Sequence, residues 1–190
     1  DPFAGSTVAP GSNFVLGFNT ADFNKDGILD LCVVRDSLCL HLGQGAGGVG
    51  DGTFAAPLTF SQTAPTTCRP QFADLNRDGI LDLVVGKTNG VTIREGLGTN
   101  GAWNGGFGAP VSLGSGNIID MVLQDFNEDG LPEIACEDAA ANRGTLLHLG
   151  AAAGTWTGTF TSTIVQSGGG AERVATGDFN EDGRPDLLVT

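Results

Sequence analysis

Residues 22–30 read DFNKDGILD and run directly into the apolar segment LCVV. The same pattern returns as DLNRDGILD from Asp74, DFNEDGLPE from Asp125 and DFNEDGRPD from Asp178. The starts lie 52, 51 and 53 residues apart, and so regular a period makes each copy part of one repeated structural unit. The runs that follow the copies (LCVV, LVV, IAC and LLV) are too short for helices and rich in β-branched residues, so they are expected as strands.

The spacing inside the unit is that of a calcium loop. Counting from the first Asp, positions 1, 3 and 5 are Asp22, Asn24 and Asp26 in the first copy and Asp74, Asn76 and Asp78 in the second. They are Asp125, Asn127 and Asp129 in the third and Asp178, Asn180 and Asp182 in the fourth. Position 9 is Asp30, Asp82, Glu133 and Asp186, and position 6 is always Gly. Alternate side-chain oxygens turn inward and Gly permits a sharp positive-φ turn. The main-chain carbonyl of position 7, at Ile28, Ile80, Leu131 and Arg184, completes the donor set. Three carboxylates, an amide and a carbonyl suit Ca²⁺, because Mg²⁺ keeps more of its water and Zn²⁺ takes His and Cys. About one Ca²⁺ per loop, up to four, is therefore expected. A metal-free Asx-rich turn is the alternative for a single copy, but four copies carrying three or four acids each would repel themselves. Position 4 (Lys25, Arg77, Glu128, Glu181) is expected to face water, and position 2 (Phe23, Leu75, Phe126, Phe179) to plug the loop into the core. An EF-hand would place Glu at position 12 between two helices. Here that position is Val33, Val85, Cys136 and Val189, so the loop is expected to join strands.

Composition agrees. The formal charge is −13, and 14 of the 22 acids lie in the four motifs, so the acidity belongs to the loops. Nine Lys and Arg in the whole chain exclude a nucleic-acid surface. No apolar run is long enough to span a membrane, and the absence of an initiator Met or leader is expected of a mature form or an excised piece. Four Cys fit no zinc pattern. For Cys32 and Cys39 two readings stay open: a cross-hairpin disulfide, which requires them to sit directly opposite, or buried free thiols. The pairing of Cys68 and Cys136 is equally open.

Between motifs each repeat keeps one order: LCLHLGQG then GTFAAPLTF, VTIREGLG then GGFGAPVSL, TLLHLGAAAG then GTFTSTIV. Each unit reads as four strands, one before the metal loop, one after it, one ending in the LG-type segment and one opening on Phe. The repeats run approximately over 14–61, 67–113, 117–165 and 172–190, the last incomplete, and PFAGSTVAP from Pro2 reads as a preceding fourth strand. The expected class is all-β, a single partial β-propeller of four-stranded antiparallel blades.

DFNKDGILDL and its three relatives, with FAAP at Phe54–Pro57 and FGAP at Phe107–Pro110, resemble the FG-GAP/VCBS repeats that build the propeller of integrin α subunits and of many secreted proteins. Glu133 and the FTST segment of the third repeat depart from that pattern. The resemblance implies structural calcium loops between the first two strands of each blade and a ring of seven blades, of which this chain holds about three and a half. Closure would then come from further blades of a longer chain or from self-association of a second copy. It also implies an extracellular, secreted or cell-surface setting, with a glycan or protein ligand and no nucleic acid.

No catalytic set stands out. His41, Arg94 and His148 occupy matching places, which argues for a shared structural face. Trp103 and Trp156 each sit four residues before the Phe that opens a fourth strand, near the metal end of the blade. They are candidates for stacking on a sugar ring, with packing against a neighbouring blade the preferred reading. Two function classes follow: a non-catalytic recognition module, lectin-like or adhesive, and an accessory propeller of a larger secreted enzyme whose catalytic domain lies elsewhere.

Overall fold

The computed structural model describes residues 17–34, 37–61, 65–141, 143–152, 155–167 and 173–190. The PFAGSTVAP segment and the turn near Asp36 lie outside them. The first blade holds β1 (Gly17–Ala21), β2 (Asp30–Val34), β3 (Leu38–His41), β4 (Gly43–Ala46), β5 (Val49–Phe54) and β6 (Leu58–Phe60). The second holds β7 (Gln71–Ala73), β8 (Asp82–Lys87), β9 (Gly90–Arg94), β10 (Gly96–Thr99), β11 (Ala102–Phe107) and β12 (Val111–Leu113). The third holds β13 (Ile118–Gln124), β14 (Glu133–Asp138), β15 (Arg143–Ala152) and β16 (Thr155–Ser167), followed by the pair β17 (Val174–Gly177) and β18 (Asp186–Val189). All of these strands pair antiparallel, in sheets ordered β1-β2-β3-β6, β7-β8-β9-β12 and β13-β14-β15-β16. The fold is all-β with propeller-type blades, and the ring is not closed in this chain.

The second strand of each blade is buried along almost its whole length. β8 lies between the first and third blades, with Leu83 and Val85 in one cluster and Val84 in the other, so both its faces are covered and the usual alternation disappears. Two clusters fill the spaces between blades. One joins Phe23, Val34 and Leu40 to Leu83 and Val85 of the second blade. The other joins Leu75, Val84 and Ile93 to Met121, Ile134 and Leu147 of the third.

The third and fourth strands differ from the simple four-strand reading. In the first two blades both strands break, and the outer part forms a separate hairpin, β4–β5 or β10–β11. The break falls at Pro57 and Pro110, which have no N–H to give to a ladder. Single bonds bridge it, from Ala55 N to Leu42 O at 2.8 Å and from Gly108 N to Glu95 O at 2.7 Å. The third blade carries FTST in place of the Pro segment, and there β15 and β16 run unbroken.

Equivalent residues are buried or exposed according to their neighbours. Phe18 occupies the slot filled by Pro70, Met121 and Val174 in the later blades. Those three are buried against a preceding blade, whereas Phe18 is 61% exposed.

The register settles the first cysteine pair. Cys32 lies opposite Leu40, and Val33 lies opposite Cys39, so the two thiols point to opposite faces of the sheet. All four cysteines are free. Burial pushes the thiols of Cys32, Cys68 and Cys136 each up to about 12, which keeps them as unreactive thiols. Cys39 is only half-buried, beside Ser37 and Thr59. A thiol reagent near neutral pH should therefore label Cys39 first in the folded protein, and all four cysteines should titrate without reductant after unfolding. Two titratable thiols in the unfolded chain would contradict this register.

Candidate metal centre

The four acidic loops share one backbone conformation. Position 4 is left-handed in each, with φ of 58° at Lys25, 56° at Arg77, 60° at Glu128 and 60° at Glu181. The Gly at position 6 follows with φ of 85°, 83°, 87° and 86° at Gly27, Gly79, Gly130 and Gly183. A non-Gly residue in this region costs roughly 1–2 kcal/mol, and the acidic side chains offset it by capturing the loop's own N–H groups. Asp22 accepts from Asp26 N at 3.1 Å and Gly27 N at 2.9 Å, and Asp74, Asp125 and Asp178 repeat both bonds. The Asn at position 3 accepts from the N–H of position 5, and the carboxylate of position 5 accepts from the N–H of position 7. Positions 1, 3 and 5 are thereby gathered on one small loop.

Position 9 does something else. Asp30 and Asp82 are fully buried. One oxygen of each accepts from the N–H of position 2, Phe23 or Leu75, at 2.8 Å. The other accepts from Gly43 or Gly96 at the root of the hairpin, also at 2.8 Å. Burial pushes Asp82 up to about 6; the two N–H bonds pull it back, and the carboxylates of Asp78 and Asp74 push it further. Asp30 is raised by burial in the same way. A raised carboxyl weighs against the fold as pH rises through the interval between its unfolded and folded values, and a cation in the loop would act against that cost. Glu133, one carbon longer, keeps the bond to Phe126 N at 2.8 Å, but its other oxygen accepts from the Asn127 amide at 2.8 Å. In the fourth loop Asp186 accepts from Phe179 N at 2.9 Å.

The side chains at positions 2, 4 and 7 differ in how far they enter the core. Ile28, Ile80 and Leu131 at position 7 are buried, so their side chains fill the core as well as offering a carbonyl; Arg184 is the exception. Position 4 is exposed in every loop, as expected, and two of these side chains also reach the next loop. Arg77 donates to Gly130 O at 2.8 Å, and Glu128 pairs with Arg184 at 3.4 Å. At position 2, Phe23 and Leu75 are buried, Phe126 is half-buried and Phe179 is 60% exposed. Cover comes from the following blade. Trp103 stands 5.7 Å from the Phe23 ring, and Trp156, buried, donates its main-chain N–H to Leu75 O at 3.0 Å. Each indole N–H is turned back into its own hairpin, to Gly106 O or Thr159 O. Both Trp therefore wedge one blade's hairpin onto the preceding blade's loop. Arg94 donates to Gly108 O and Ser61 O, and His41 packs edge-on to Phe54, while the side chain of His148 lies outside the described residues.

Among the described residues no three acidic, His or Cys side chains stand together as a finished cation cage. The carboxylates are directed at N–H groups of the protein. The donor set nevertheless fits a hard cation. Each loop holds two carboxylates and an amide oxygen at positions 1, 5 and 3, and each acceptor retains lone pairs beyond its N–H bond. The ion pairs Arg143–Asp138 and Arg184–Glu128 involve other carboxylates than those at positions 1 and 5. The profile of the FG-GAP-like repeat matches the chain three times, over residues 22–85, 74–136 and 125–189, each match running from one acidic loop past the next. No curated protein matches the chain.

The two kinds of carboxylate should separate on mutation. In chelator, Asp82→Ala strands the buried Leu75 and Gly96 N–H groups and should cost about 2–4 kcal/mol, against under about 1 kcal/mol for Asp78→Ala. Urea unfolding of the two variants measures the difference, and equal costs would remove the structural role given to position 9.

Proposed function

This chain belongs to the FG-GAP-like repeat family, and on that premise we propose that its loops bind Ca²⁺ and that it serves as a non-catalytic recognition module outside the cell. The observation that carries the metal reading is the fourfold recurrence of one loop conformation around one oxygen donor set. Asp22, Asn24, Asp26 and the Ile28 carbonyl would hold the cation in the first loop, with Asp30 behind them. Asp74, Asn76, Asp78, Ile80 and Asp82 do so in the second; Asp125, Asn127, Asp129, Leu131 and Glu133 in the third; Asp178, Asn180, Asp182, Arg184 and Asp186 in the fourth. A bound cation supplies charge neutralisation to carboxylates that otherwise repel.

The recognition reading rests on the fold family, on the absence among the described residues of a helix able to cross a membrane, and on the structural roles found for His41, Arg94 and Trp156. The ligand class is a glycan or a protein surface, and the setting is extracellular.

Calcium should raise the unfolding midpoint and chelator should lower it, with a gain of about 2.7 kcal/mol per site at a hundredfold excess over the dissociation constant. Asp26→Ala, Asp78→Ala, Asp129→Ala and Asp182→Ala should each delete one site in a calorimetric titration. The third loop should differ most, because Glu133 engages the Asn127 amide that its siblings leave to position 5 alone. A midpoint indifferent to Ca²⁺ would sink the metal reading.

A further inference from the structure

One row of the third blade, facing β17 and β18, holds Asp120 of β13, Glu137 of β14 and Gly144 of β15 side by side. Opposite it lies the paired rung Val174–Val189 of β17 and β18. Val174 N donates to Asp120 Oδ2 at 3.2 Å, and a Cβ on Gly144 would lie 3.0 Å from Val189 Cγ1. Glu137 stands between these two contacts, so its side chain enters the seam, and it is fully buried. We infer that the seam is operated by a proton: the β17–β18 pair docks on the third blade when Glu137 is protonated and loosens when Glu137 ionises. The inference rests on neither the metal reading nor the recognition reading above.

Neither carboxylate oxygen of Glu137 has a hydrogen-bond partner, and neither has surface open to solvent. Water or a metal ion cannot touch atoms without accessible surface, so the partner that fits is a proton. The charged groups of the surrounding strands do not supply a counter-ion. Asp120, in the same row, already accepts from Met121 N and Val174 N. Asp138 follows Glu137 in the chain and pairs with Arg143 of β15 at 3.7 Å. Glu133, farther along β14, accepts from Phe126 N and the Asn127 amide. Arg173 at the start of β17 lines a cavity with Asp120 and Arg69, and Asp186 stands at the far end of β18, bound to Phe179 N. Burial holds the Glu137 carboxyl above its ordinary value, and the Asp138 charge pushes it the same way.

The earlier blades put no acid in this slot. The first has Val34, fully buried in the cluster that joins it to the second blade. The second has Gly86, where a Cβ would meet Cys68 Sγ and Ile118. An ionised carboxylate in such a slot gives up its water for nothing, whereas a protonated one leaves only an unpaired hydroxyl, a much smaller cost. Docking therefore takes up a proton. The docked value lies above the undocked one, so the stabilisation is complete below the undocked value. It is lost as pH rises from there through the docked value.

Hydrogen exchange read by mass spectrometry on the intact chain tests the seam, with excess Ca²⁺ throughout to keep the acidic loops in one state. Protection factors of the β17 and β18 amides are compared with those of β8 and β9 from about pH 5 to about pH 8. Relative protection of β17 and β18 should fall about tenfold or more over that range. Glu137→Gln is neutral at every pH and should make the relative protection independent of pH. Glu137→Leu, which restores an apolar residue to the slot, should do the same and serves where the Gln variant fails to fold. Asp120→Asn keeps an acceptor for Val174 N and should retain the pH dependence. Flat protection in the unmodified chain, or an unchanged pH dependence in either Glu137 variant, would overturn the proposal. So would a pH dependence abolished by Asp120→Asn, which would move the proton to the neighbouring carboxyl.

Discussion

The buried carboxylate at position 9 holds three separate pieces of chain in one place. Asp30 and Asp82 start the second strand of their blades, and each accepts the N–H of the loop's position 2 and of the hairpin's first Gly. Charge-assisted bonds of this kind offset much of the cost of burying the charge. The approach is so close that only glycine fits at the hairpin root. A Cβ on Gly43 would lie 2.5 Å from Leu29 O, and one on Gly96 would lie 2.4 Å from Leu81 O. Loop, strand and hairpin thus move as one body. The hairpin then carries its Trp to the loop of the preceding blade, so a tie local to one repeat also sets the distance between repeats.

The parts of this arrangement that repeat with the period were legible in the sequence. Strand, acidic loop, strand and Gly at position 6 could be read because each residue type answers a local demand. The hairpins could not be separated from the blade strands, although the signal was present: FAAP and FGAP contain the Pro that breaks the ladder, and FTST, which lacks it, does not break. The left-handed position 4 had no signal at all. Lys, Arg and Glu do not favour that region, and only the hydrogen bonds of positions 1, 3 and 5 enforce it.

The left-handed turn has a consequence across loops. It projects the position 4 side chain sideways, and there Arg77 meets Gly130 O and Glu128 meets Arg184. Lys25 extends the pattern, with its Nζ within 3.7 Å of where side chains on Gly79 and Gly101 would begin. Exposed contacts of this kind contribute little individually, about 0–1 kcal/mol. They nevertheless make the loops a continuous strip along one end of the stack, so a change at one loop is felt first by its neighbour.

Loops with nearly identical sequences therefore sit in different surroundings. Phe23 is 2% exposed, Leu75 0%, and Phe179 60%, although all three occupy position 2 of the same motif. The difference is the hairpin of the following blade, present over the first two and absent among the described residues beyond β18. In a stacked array each unit's stability is its own plus a term for each neighbour, and here the neighbour's share falls on the loop plug itself. The burial that fixes one loop is thus contributed by the next repeat, which ties the ordering of each acidic loop to the docking of the blade that follows it.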